Sequence, residues 1–243
     1  MQSFKIGNFS FSEGEQTSFM RIQSEKNFEP LKFTDVFSAA KNSRPEEFIF
    51  FVSRSDTYGY MSNWLGGIGH LGRNNIFFPT AEHELMYRKA EIFNDKNSML
   101  KIREASTPDE AKKIGRQVSS FDEKTWKMYR YDAVYQTVLN KFKQSKELLK
   151  LLLSTGDRYI VEAADYDTIF GIGLLEFSSS GSRGCKLKNG EFDILPEDWV
   201  GQNMLGIALM EVRFNLRNYN ESESPSLKGS GPEPTGITQG PIY

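Results

Sequence analysis

From Glu123 to Thr155 the chain reads "EKTWKMYRYDAVYQTVLNKFKQSKELLKLLLST", with neither glycine nor proline. Such a run fixes a long helix from the end of "SSFD" to Gly156, and Ser145 or Lys146 is the place where it breaks in two. Two more helices carry start signals. Thr80 is a fitting cap for the helix that begins "AEHELMYRKA", and Glu82 sits in its first turn, where the helix dipole favours an acid. In "STPDEAKKIGRQV", Thr107 is at the cap, Pro108 in the first turn and Glu110 three residues after the cap. "WVGQNMLGIALMEVRFNL" reads as a last helix, and "NFEPLKFTDVFSAAK" as holding a short one that begins near Thr34. Only "EFIFFVS" (residues 47–53) and "RYIVEA" (residues 158–163) read as strands.

The 243 residues can bury a substantial core, and their apolar and charged content is that of an ordinary globular protein. The formal charge of −2 leaves no sequence-wide basic field to hold nucleic acid, so any such contact must be local. Cys185 is the one cysteine, which excludes an intramolecular disulfide and points to a reducing compartment. The opening residues lack the apolar core of a secretory signal, and no run approaches the roughly twenty apolar residues of a membrane span. A cytoplasmic protein without membrane contact is expected. Residues 1–45 read as an N-terminal extension, 46–217 as the catalytic domain and 218–243, rich in Ser, Gly, Pro and Glu, as a disordered tail.

Glu82, Met86 and Lys89 recur at spacings of four and three, so an acid and an amine share one stripe with an apolar residue. That pattern is either a surface ion-pair ladder or a reaction site. "EHELM" lacks the second histidine of a zinc helix, Tyr87 standing in its place, so no metal is expected and His83 reads as a locally hydrogen-bonded helix residue. "WLGGIGHLG" has neither the strand–turn–helix setting of a dinucleotide fold nor a Walker pattern. The loop with Ser62, Asn63 and Trp64 is either a closure over sugar or phosphate or a plain surface loop. Cys185 has no neighbouring base and is a poor nucleophile. Trp126, Arg130 and Val134 at helical spacing read as core packing with a snorkelling arginine. "EAADYDTIFGIG" is either a turn or a polar lip where backbone meets a ligand.

Taken in order, "YMSNW", "PTAEHELMYRKA", "PDEAKKIGR", "TWKMYRYDAVYQTVLNKF", "LLLSTGDRYIVEA", "DTIFGIG" and "WVGQNMLGIALMEVR" resemble the NADAR family, also called YbiA-like, from Phe48 to Leu216. Two departures stand out. Phe170 occupies a position where the family usually has tryptophan, and the loop from Leu175 to Asp198 is longer than usual.

The resemblance implies an α+β fold: a compact, mostly helical single domain with a small sheet. It also implies an N-glycosidase acting at C1 of a ribose, with no cofactor. Family activities include removing ADP-ribose from guanine in DNA and hydrolysing phosphoribosylamino-pyrimidine intermediates of riboflavin synthesis. The expected partner is therefore an ADP-ribosylated nucleic acid or a ribosylated small molecule, with no stable protein partner. A rival of another class is a sensor that binds ADP-ribose or NAD without turnover. Glu82 is expected as general acid/base and Lys89 as the Schiff-base nucleophile. Trp126 and Asp167 would line the sugar or base site, Phe170 one wall, and Ser62, Asn63 and Gly171 the phosphate and ribose. Glu82 and Lys89 lie about 10 Å apart along the helix axis, a span that one sugar can bridge.

Overall fold

A computed structural model describes Lys5–Ile6, Phe9–Ser10, Val36, Ser38, residues 45–164 apart from Ser53, residues 166–173, Leu187–Lys188, Glu191–Phe192 and residues 199–223. The helix start near Thr34, Asp165, Cys185 and most of the loop from Leu175 to Asp198 lie outside the described residues.

Two hairpins of two-residue strands, β1–β2 (Lys5–Ile6, Phe9–Ser10) and β7–β8 (Leu187–Lys188, Glu191–Phe192), stand apart from the main sheet. That sheet joins β3 (Phe48–Phe51) in parallel to β6 (Tyr159–Glu162), with Phe48 opposite Tyr159 and Phe51 opposite Glu162. Parallel strands need a crossover, and here it carries the small hairpin β4–β5 (His70–Leu71, Phe77–Phe78) and five helices. Alternation in β3 sends Ile49 and Phe51 into the core. Phe48 and Phe50 face the other way, each edge-on to the Trp199 ring, at 6.3 and 6.1 Å between centroids.

The helices start where the caps predict. Thr80 opens α1 (Ala81–Ile92), its hydroxyl accepting from the His83 amide, and Thr107 opens α3 (Pro108–Arg116) in the same way with Glu110. Glu110 then reaches back to accept from the Ser106 amide at 2.8 Å, so two orphan donors are satisfied. Ser145 breaks the long helical run as a cap, dividing α4 (Glu123–Lys143) from α5 (Lys146–Leu153). Between α1 and α3 lies α2 (Lys96–Glu104), absent from the sequence reading because its residues are mostly polar. Asp95 starts it by accepting from both the amide and the hydroxyl of Ser98.

The last helix, α6, spans Met204–Glu223. It begins five residues later than the sequence suggested and runs past Asn218, where the tail was expected to start. Residues 199–203 are instead a bend whose amides dock on the loop after β6. The amides of Gln202, Asn203, Met204 and Leu205 donate to the carbonyls of Thr168, Gly171, Ile169 and Phe170 at 2.9–3.2 Å. These contacts satisfy helix-start donors that would otherwise be orphaned. Asn203, fully buried with φ +48°, adds its side chain: Oδ1 accepts from the Glu162 amide and Nδ2 donates to the Ile160 carbonyl, both at 2.9 Å. Gly206 must be glycine, because a Cβ there would fall 2.2 Å from the Ile160 oxygen.

Between α1 and α4 a buried carboxylate ties the β4–β5 hairpin to the helices. Glu84 Oε1 accepts from Arg88 Nη2 at 2.7 Å and from Asn140 at 2.8 Å, while Oε2 takes His70 Nε2 at 2.7 Å. Burial alone would raise its pKa; the bonds from His70 and Arg88 overcome that and hold it below the usual carboxylate range.

Candidate active site

The start of α1, the end of β6, α3 and two loops enclose a cavity of about 300 Å³. Glu82, Glu162, Asp167 and Lys112 share its wall, with Trp64, Tyr166 and Phe170 supplying aromatic faces and Arg54 a further cation.

Glu82 reaches the cavity because its helix begins there. Its amide donates to the Asn63 carbonyl at 2.9 Å, which locks the Ser62–Trp64 loop to the first turn of α1. Only 4% exposed, its carboxyl is pushed up to about 7 by burial. Lys112 pulls the value down, Asp167 pushes it up, and a hydrogen bond from the Trp64 side chain favours the anion. Glu162 ends β6 and is pushed further, to about 8, by burial and by the charge of Asp167, with Lys112 opposing and Glu82 adding. Its Oε2 is shielded from solvent and has no hydrogen-bond partner among the described residues.

The loop residues are held from behind. Ser62 Oγ accepts from the Trp64 amide at 3.2 Å, and the Ser62 carbonyl accepts from Lys141 Nζ at 2.8 Å. Lys141 is buried, and burial pushes its pKa down to about 7. Asn63 is 6% exposed, and its Oδ1 also lacks a partner among the described residues. Asp167 Oδ1 accepts from the amides of Ile169 and Phe170 at 2.9 and 2.8 Å, so the acid both faces the cavity and forms the turn. Gly171 stands behind the cavity: a Cβ there would lie 3.0 Å from Ala164 Cβ and from the carbonyls of Glu162 and Asp167.

Ser62, Asn63, Glu82, Asp167 and Phe170 line one cavity. Lys89 and Trp126 do not line it. Two helical turns separate Lys89 from Glu82. Met86, between them, fills the wall against Gly115, where a Cβ would fall 2.2 Å from its sulfur. Lys89 Nζ sits instead over the Phe121 ring at 4.4 Å and the Trp126 ring at 5.6 Å. Burial lowers the Lys89 pKa, Glu123 opposing and Arg116 reinforcing. Trp126 belongs to the hydrophobic core, and Arg130 beneath it is buried rather than snorkelling, donating to Gln202 at 3.1 Å. Lys112 and Glu162 were missed, although both stand inside the quoted motifs "PDEAKKIGR" and "YIVEA". His83 is locally satisfied: Nε2 donates to the Ala105 carbonyl at 3.1 Å, leaving Nδ1 to accept from the Thr80 hydroxyl at 2.7 Å. Among the described residues no group of three or more His, Cys, Asp or Glu could hold a metal ion, and no helix is long and apolar enough to cross a membrane.

The two raised carboxyls carry a stability signature. Both groups bind their proton more tightly folded than unfolded, so their contribution is fully present below the ordinary value of about 4.5 and is lost as pH rises through about 7 and 8. The loss amounts to on the order of a few kcal/mol. Melting temperatures between pH 5 and 8.5 are expected to fall more steeply for the wild type than for the Glu82→Gln/Glu162→Gln variant. Equal slopes would refute the buried-acid description.

The NADAR domain family matches residues 49–217. N-glycosidase R617 of Acanthamoeba polyphaga mimivirus is 35% identical over 137 residues, covering 56% of this chain and 73% of the viral protein. N-glycosidase YbiA of Escherichia coli K12 is 30% identical over 168 residues, covering 69% of this chain and 88% of its own. The NMR structure of E. coli YbiA superposes with a TM-score of 0.57 at 26% identity, covering 76% of this chain and 94% of that one. In its matched length, order of motifs and mostly helical fold with a small sheet, this chain belongs to the NADAR domain family.

Proposed function

We propose that this chain is a cytoplasmic N-glycosidase that cleaves the bond between C1 of a ribose and an exocyclic nitrogen, and that its substrate is ADP-ribosylated guanine in DNA. The observation that carries the reading is one cavity holding two acids with raised pKa values beside a lysine. Binding alone needs no such set, which argues against a sensor.

In the route these residues support, the lone pair of the exocyclic nitrogen forms an imine at C1 as the C1–O bond of the ring breaks, and the proton of that nitrogen passes to the departing ring oxygen. Lys112 passes its proton to Glu82, adds to C1 and displaces the original nitrogen. Water then hydrolyses the new imine and frees the lysine. Glu82, with a pKa near neutrality, accepts and returns protons in the working range. Lys112 takes the part that the family resemblance gives to Lys89, because among the described residues it is the lysine that lines the cavity.

A second reading, hydrolysis of a phosphoribosylamino-pyrimidine, draws on the cavity's size. At about 300 Å³ it sits at the lower end of the range for ligand pockets, which suits a small phosphoribosyl compound. Product release is to be followed in parallel from an ADP-ribosylated DNA oligonucleotide, free ADP-ribose and phosphoribosylamino-pyrimidine. The first is expected to be cleaved fastest. Faster cleavage of the pyrimidine would reassign the substrate, and no cleavage of any would refute the enzyme.

A further inference from the structure

Glu162 has no part in the route so far, yet its surroundings suit one. Its backbone is fixed on both sides: the amide is held by Asn203 and the carbonyl accepts from Ile172 at 2.9 Å. With β6 pinned in this way, the side chain projects from a rigid strand end into the cavity. Its Oε2 is out of solvent and has no donor among the described residues. The groups that face it are Asp167 from the following loop, Glu82 from α1 and Lys112 from α3. Two carboxylates against one ammonium make a further negative charge there unfavourable. Glu82, by contrast, has donors for its anion: the Trp64 side chain and the positive end of α1.

On the glycosidase reading above, we infer that Glu162 is the general acid that protonates the departing nitrogen, its carboxyl delivering the proton into the cavity from the end of β6. In that step the C1–N bond breaks with its electron pair remaining on nitrogen. The nitrogen takes the proton of Glu162, while the lone pair of Lys112 Nζ completes the new C1=N bond. Water attacking that imine later returns a proton to the Glu162 carboxylate, so the cycle closes without any co-reactant. The two acids divide their work by environment: the one with donors cycles as base, the one without holds the proton. Burial keeps Glu162 protonated up to about pH 8.

The test uses full-length enzyme and 5-phosphoribosyl derivatives of aniline and 4-nitroaniline, whose leaving nitrogens differ in basicity. Glu162→Gln keeps the shape and lacks the proton. It is expected to lose about a hundredfold or more on the aniline derivative. The loss on the nitroaniline derivative should be much smaller, since that nitrogen needs less help to depart. The alkaline limb of kcat/KM, expected near pH 8 in the wild type, should vanish in the variant. Melting temperature at pH 5, with both forms uncharged at this position, checks that the variant is folded. A purely structural Glu162 would lower both substrates equally and leave the alkaline limb in place, and either result overturns the role. A wild type that cleaves neither these compounds nor any ribosylated substrate above overturns the glycosidase reading and this role with it. A wild type matched by Glu162→Gln overturns the role alone.

Discussion

Borohydride added during turnover is expected to trap a ribosyl adduct on Lys112 and none on Lys89. An imine at C1 is reduced to a stable amine, and peptide mass spectrometry locates it. Lys112→Ala should lose both adduct and turnover. Lys112→Arg should fare no better, since a guanidinium remains protonated and forms no imine. Lys89→Ala is expected to retain turnover, because its amine rests on the Phe121 and Trp126 rings outside the cavity. An adduct on Lys89, or near-normal turnover by Lys112→Ala, would return the covalent role to the end of α1 and sink the assignment made here.

The largest stability loss is expected at Glu84, a fully buried residue of α1, the helix that also carries Glu82. Glu84→Ala would strand Arg88, His70 and Asn140 in the interior with no acceptor. Breaking a buried pair in this way costs about 3–5 kcal/mol. For a domain of this size, that lowers the melting temperature by roughly 6–20 °C. Glu84→Gln keeps one acceptor oxygen and should cost less. Thermal denaturation near pH 7 decides the matter, and a Glu84→Ala protein that melts with the wild type would show that the cluster contributes nothing.

Local physics was legible in the sequence and convergence was not. Thr80, Thr107 and Ser145 act through bonds to amides three residues away, so spacing alone located three helix starts. Glu82 was legible for the same reason, as an acid in a first turn where the dipole favours one. Lys112 is different. It stands beside Lys113 on a strongly charged helix, and nothing local says which of the two points inward. Glu162 faces Glu82 only because β6 pairs with a strand more than a hundred residues earlier. Lys89 keeps the stripe of Glu82, but seven residues along the helix set it two turns away, over the Phe121 and Trp126 rings, a displacement that the stripe alone does not reveal. The family's motif order still brought Ser62, Asn63, Asp167 and Phe170 together, because it encodes contacts that no single segment contains.

The amide of Asn203 has a consequence beyond the acid that it fixes. A two-stranded parallel sheet has two open edges, and an open edge can recruit a strand from another molecule and start aggregation. On β6 the side chain of Asn203 accepts from one peptide and donates to another, as a neighbouring strand would, and the crowding of Gly206 on the Ile160 carbonyl closes the approach. One residue thereby terminates the sheet on that side. The domain can keep a sheet of the smallest possible size without leaving this edge adhesive.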